Sequence, residues 1–174
     1  MLNGVAENGK VKIKLPDNKT FVVDKSQAVS VSELTKNKDK VVLNAKKRLD
    51  IGLKGKTNYL WGGSVNENID CSGFNQSIFR LEGIMLPRDA DQQQSFTKPV
   101  AVTLDKIDQL KPGDLLFFSG NRSYATHTGI YIGDYKFIHS SPKGAYRGIK
   151  INSLKGGGEY DKFLQKIYFG GGRV

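Results

Sequence analysis

Asp70-Cys71-Ser72-Gly73-Phe74-Asn75-Gln76-Ser77-Ile78-Phe79-Arg80-Leu81-Glu82-Gly83 joins the only cysteine of the chain to its clearest helical pattern. Phe74, Ile78 and Leu81 recur at four and three residues, the spacing of one helix face, and Gly83 closes the run. Asp70 stands where an N-cap belongs. Cys71 is therefore predicted at the first helical position, where unpaired N–H groups and the helix dipole favour a negative side chain. A thiolate gains there, so the thiol pKa is expected to fall below its ordinary value of about 8.5. The same N–H groups, that of Cys71 first, are placed to receive an oxyanion during acyl transfer. The plainer reading of a cysteine is a small buried apolar residue; polar or small neighbours on both sides weigh against it.

Downstream lie the only two histidines, His127 and His139, twelve residues apart. A thiol with two imidazoles is the inventory of a nucleophile, its general base and an orienting residue. Either histidine alone reads as an ordinary hydrogen-bonded strand residue. Together they read differently. A hairpin with an odd-numbered loop centred on Gly133 makes them direct cross-strand partners, with Cβ atoms roughly 4.5–5.5 Å apart on one face. A two-residue Gly133-Asp134 turn would put them on opposite faces. In the first register His127 takes the Cys71 proton and returns it to the leaving amine, while His139 holds the tautomer.

Around this centre the chain alternates short elements. Val11, Ile13 and Leu15 alternate with lysines, Pro16-Asp17-Asn18 supplies a turn and Phe21-Val22-Val23 follows, which predicts a hairpin; Ala28–Val31 is a further strand candidate. Asp39 is expected to cap a helix carrying Val41, Val42, Ala45 and Leu49, ended by Gly52. Tyr59 and Trp61, beside Gly62-Gly63, mark a shaped loop before Cys71; Tyr59 is a candidate hydroxyl donor to the oxyanion. Leu86-Pro87-Arg88-Asp89 leads into a short polar helix through Gln92–Gln94. Strands are expected at Leu115–Phe118, Thr128–Ile132, Lys136–Ser140 and Gly148–Ile151, with Phe163–Phe169 closing the sheet.

Composition narrows the function classes. The 174 residues hold 27 Lys plus Arg against 17 Asp plus Glu, a formal charge of +10, which suits polyanionic surroundings. Lysine supplies 21 of those cations, and arginine is the residue that forks onto base edges, so specific nucleic-acid reading is disfavoured. No run approaches the ~20 apolar residues of a membrane span. One cysteine makes no internal disulfide, and with two histidines it is too few for a closed zinc site without a carboxylate, so no metal or cofactor is expected. The first nine residues lack a signal-peptide pattern.

Taken together, Tyr59-Leu60-Trp61-Gly62-Gly63, Asp70-Cys71-Ser72-Gly73-Phe74, Leu86-Pro87-Arg88 with Gln93, Lys111-Pro112-Gly113-Asp114-Leu115, His127-Thr128-Gly129-Ile130-Tyr131-Ile132-Gly133 and Phe137-Ile138-His139 resemble the NlpC/p60-type cysteine peptidases of bacterial cell-wall turnover. The likeness covers roughly residues 40 to 172. It implies an α+β, papain-like core in which a helix bearing the nucleophile packs on an antiparallel sheet. It implies Cys71 as nucleophile, His127 as base, His139 as third residue and Tyr59 near the oxyanion, with Asp70, Ser72, Trp61 and Arg88 on the substrate side. Residues 11 to 35 are similar to the last strands of an SH3-like domain. The expected organisation is thus a partial SH3-like β segment over 1–38 and a catalytic domain over 39–174. Asp89-Ala90 departs from the Thr-Ser that relatives often carry near the cleft.

The implied activity is hydrolysis of amide bonds in peptidoglycan stem peptides, commonly between D-glutamate and a diamino acid. The alternatives are an amidase or acyltransferase on the same scaffold and a non-catalytic wall-binding module. The expected partners are peptidoglycan peptides, with anionic wall polymers for the basic surface. A monomer is expected, extracellular or wall-associated, with cytoplasmic peptide recycling as the alternative.

Overall fold

Leu115, Leu116, Phe117 and Phe118 are all fully buried, so the strand they form is covered on both faces. Leu115 and Phe117 join one apolar cluster, Leu116 and Phe118 another. The rest of the larger unit is arranged around that strand. The computed structural model describes residues 3–14, 18–30, 34, 37–52, 57–65, 67–144 and 146–174. It divides into Met1–Thr35 and Lys36–Val174.

In the first unit β1 (Asn3–Glu7), β2 (Lys10–Lys14) and β3 (Thr20–Asp24) form an antiparallel sheet in that order. The expected β2–β3 pairing is present. β1 was not foreseen; it joins β2 through Asn8-Gly9, both at positive φ (50° and 71°), as a tight hairpin turn requires. Ala28–Ser30 forms no strand but follows a 3-10 turn over Lys25–Gln27; Val31, Pro16 and Asp17 lie outside the described residues.

The second unit opens with α1 (Lys38–Ile51), capped by Asn37, whose side chain accepts the Asp39 N–H at 3.0 Å. The predicted cap, Asp39, lies inside the helix. Val41, Ala45 and Leu49 are its buried face. A short β4 (Ser64–Val65) and β5 (Asn68–Ile69) lead to α2 (Cys71–Arg80), then α3 (Ala90–Phe96). The main sheet comprises β6 (Lys98–Val100), β7 (Leu115–Phe118), β8 (His127–Gly133), β9 (Lys136–Ser141), β10 (Gly148–Ser153) and, after α4 (Glu159–Lys166), β11 (Tyr168–Arg173). Its order is β10-β9-β8-β7-β11-β6, antiparallel throughout.

Helices α1 and α2 cover one face, burying Phe74, Ile78 and Phe79 against Ile130, Ile138 and Ile149. The other face carries Tyr131, Phe137 and Tyr168 with Leu164 of α4. Phe163 was expected within the last strand, yet it is helical; only from Tyr168 does the chain extend, between β7 and β6. Arg173 fastens that strand through a two-pronged pair with Asp114, at 2.8 and 2.7 Å.

Candidate active site

Asp70 caps α2 as its sequence position predicts, its Oδ1 accepting the Gly73 N–H at 2.7 Å. Gly73 is required by packing: a Cβ there would collide with the Gly63 carbonyl oxygen of the preceding loop. Cys71 opens the helix and is 6% exposed. The backbone N–H of Thr128 reaches its thiol, so the sulfur lies at the start of β8, the strand that His127 opens. Asn75 holds that junction, donating to Thr128 Oγ1 at 2.9 Å and to Gln93 Oε1 at 3.2 Å. Gln93 in turn donates to the Ser72 and Pro87 carbonyls.

The two histidines meet, though not in the predicted register. β8 and β9 are joined by a two-residue turn, Asp134-Tyr135, with φ of 51° and 59°, and Gly133 pairs with Lys136. By itself this turn would separate the histidines onto opposite faces. Ile132 is an extra residue in β8, so further along Tyr131 pairs with Phe137 and Ile130 with Ile138. Continuing that register sets His139 opposite Gly129 and diagonal to His127. His127 Nε2 lies 2.6 Å from His139 Nδ1. Gly129 makes the space, since a Cβ would stand 3.0 Å from His139 Cβ and from Phe137 Cδ2. Phe118 and Phe137 pack against the two rings.

Burial pushes the Cys71 thiol up to about 11, helped by the Asp70 charge and opposed by the N–H groups of Thr128, Ser72 and Cys71 itself. This is opposite to the fall expected from a helix N-terminus alone. Burial likewise pushes His127 down to about 4, with Asp70 opposing and Lys150 assisting. His139 is held well below the ordinary histidine value by burial, by His127 and by Lys150. Each group alone is thus kept neutral.

Tyr59 is buried near Cys71 and Asp70, and burial followed by their charges pushes its hydroxyl up to about 12, keeping it a donor. Asp70 and Arg88 meet as a pair: Arg88 Nη2 is 2.7 Å from Asp70 Oδ2, and Nη1 is 2.9 Å from Ser72 Oγ. Asp70 also accepts the Gly62 N–H. Trp61 stands apart, 84% exposed. Three residues near the histidines escaped the sequence reading. Asn152 on β10 places its Oδ1, an acceptor, 2.8 Å from His139 Nε2, Lys150 lies directly across from His139, and Tyr160 of α4 stacks 6.3 Å from its ring. The pairing of β10 with β9 and the packing of α4 bring them here, and no local motif marks them. The buried Lys150 ammonium donates to the carbonyls of Lys143 and Tyr146. Among the described residues no group of three His, Cys, Asp or Glu is placed to hold a metal.

A cysteine at a helix start, against a sheet whose paired strands bear two linked histidines, invites comparison with known proteins. The model of the NlpC/P60 family matches residues 55–168. The chain belongs to the NlpC/P60 family. This is a family of cysteine peptidases. The chain is 36% identical over 150 residues to the gamma-D-glutamyl-L-lysine dipeptidyl-peptidase of Bacillus subtilis strain 168, covering 85% of this chain and 46% of that protein. It is 40% identical over 97 residues to the murein DD-endopeptidase MepS/murein LD-carboxypeptidase of Escherichia coli K12, covering 55% and 47%. The chain thus spans about half the length of these curated relatives. Among solved structures, an NlpC/P60 family protein from Bacillus cereus ATCC 10987 superposes with a TM-score of 0.69 at 28% identity, over 99% of this chain and 53% of that one. The α+β architecture expected for an NlpC/P60 domain is the one observed.

Proposed function

We propose that this NlpC/P60 chain hydrolyses an amide bond in peptidoglycan stem peptides, the one between D-glutamate and a diamino acid. The observation that carries the reading is the Cys71 thiol lying against the Thr128 N–H, one residue from an imidazole whose far nitrogen is tied to His139. Sγ attacks the amide carbonyl carbon as its proton moves to His127; the C–N bond breaks as His127 passes that proton to the leaving amine. Water then attacks the thioester, losing a proton to His127, and the thiol is restored. The Cys71 N–H and the Tyr59 hydroxyl receive the oxyanion. His139 orients His127, and Asp70, Ser72, Arg88 and Trp61 face the substrate side, with the Asp70–Arg88 pair shaping the wall before Cys71.

The choice of bond is supported by the dipeptidyl-peptidase relative, whose name specifies a gamma-D-glutamyl-L-lysine link. In this reading the first 38 residues are a partial SH3-like segment beside a catalytic domain from residue 39, and the chain works as a monomer in the extracellular wall. The excess of lysine assists binding to anionic wall polymers. No helix among the described residues is long and apolar enough to cross a membrane. The test is incubation of the chain with defined stem peptides containing L-lysine or meso-diaminopimelate, read by mass spectrometry. A water added across the D-glutamyl bond, abolished in Cys71→Ala, supports the proposal. Cleavage elsewhere in the peptide, transfer to an amine, or no turnover refutes it.

A further inference from the structure

Asp161, in the first turn of α4, is a carboxylate and offers acceptors only. Its Oδ1 takes the Asn152 Nδ2–H and the Ser153 N–H, both at 2.7 Å, and its Oδ2 takes the Gly158 N–H at 2.9 Å. The Asn152 amide therefore turns its nitrogen to Asp161 and its oxygen to His139 Nε2, 2.8 Å away. The reverse orientation would set two acceptors face to face across the Asp161 contact, which neither satisfies. An amide oxygen facing Nε2 calls for a proton on that nitrogen, so neutral His139 presents Nδ1 as an acceptor. His127 must then donate from Nε2 across the 2.6 Å contact. What remains is Nδ1 of His127, bare and able to take a proton.

We infer that Asp161 and Asn152 are positioning residues that set the tautomers of both imidazoles, leaving Nδ1 of His127 as the nitrogen that receives the Cys71 proton. The inference rests on the cysteine peptidase reading for its consequence, but the tautomers themselves do not depend on turnover. Neither residue touches the thiol chemistry directly. Asp161 is fixed by two backbone N–H groups, those of Ser153 and Gly158, so the direction of the whole chain of hydrogen bonds is anchored where β10 ends and α4 begins.

The test is a two-bond 1H–15N correlation spectrum of the full 15N-labelled chain at pH 7. Both histidines are expected as Nε2–H tautomers. A proton on Nδ1 of His139 overturns the inference. In Asn152→Leu and in Asp161→Leu, with melting curves to confirm folding, the His139 tautomer becomes mixed and kcat on the cleaved stem peptide falls about 10- to 100-fold with KM little changed. Unchanged tautomers in both leucine variants also overturn it. A chain with both Nε2–H tautomers that cleaves no peptide refutes the peptidase proposal while supporting this one; an active chain with Nδ1–H on His139 does the reverse.

Discussion

His127 Nε2 and His139 Nδ1 stand 2.6 Å apart although the two residues are diagonal, not directly paired, across β8 and β9. The contact depends on the bulge at Ile132, which restores the shared face that the two-residue turn alone would break, and on the absence of a side chain at Gly129. A neutral imidazole tied at one nitrogen has the other in a fixed direction, which is what a general base needs.

His139→Ala removes that tie. Turnover of stem peptides is expected to fall by about 10²- to 10⁴-fold in kcat with little change in KM, because orientation is lost and substrate contacts are not. Steady-state kinetics on a defined peptide checks it; a KM effect with intact kcat would assign His139 to binding.

Gly129→Ala inserts a methyl group 3.0 Å from His139 Cβ, Phe137 Cδ2 and the Ile138 carbonyl oxygen. Strand and ring must shift together. A loss of about 1–3 kcal/mol in stability, with a larger proportional loss of kcat, is expected from denaturant unfolding and kinetics. Wild-type stability and activity would show that β9 yields without cost.

Asp70→Ala deletes the α2 cap, the acceptor for the Gly62 N–H and the partner of Arg88, whose side chain is 32% exposed. About 2–4 kcal/mol of stability is expected to go. Asp70→Asn keeps a capping oxygen and is expected to cost about half as much. Equal losses in denaturant melts would place the whole effect in the ion pair.

Acid is expected to unfold the chain through its histidines as well as its carboxylates. His127 is held at about 4 and His139 also below the ordinary 6.5 when folded, so the unfolded chain binds more protons in that interval. Stability from this source is complete above about pH 6.5 and is lost as pH falls towards 4. The melting temperature of His127→Gln/His139→Gln should therefore drop less between pH 7 and 4.5 than that of the wild type. Parallel curves would deny the histidines any part in acid unfolding.

Much of this site is written in local sequence, and the remainder arises from packing. The cap at Asp70 and the helix after it follow from side chains within one turn, and both were legible. That the histidines share a face was also anticipated, but through a loop centred on Gly133; no residue pattern announces a bulge at Ile132 whose effect cancels a one-residue change in the turn. The last strand was expected over Phe163–Phe169 but runs Tyr168–Arg173, where its glycines let it lie close to Val100 and Thr97. β6 contains Pro99, tolerated because it is the edge strand. The thiol pKa moved the other way because flanking residues report the helix dipole but not the burial imposed by β8. Asn152 and Asp161 belong to different elements, and only the return of α4 over β10 joins them.

The account turns on proton transfer between Cys71 and His127, and alkylation of Cys71 by iodoacetamide across pH reads it without a substrate. In the wild type the neighbouring imidazole accepts the thiol proton and sustains labelling near pH 7. In His127→Gln no imidazole takes the proton, so the rate at pH 7 is predicted to fall at least about tenfold and the midpoint to move up. Identical rates and midpoints in the two proteins would contradict it.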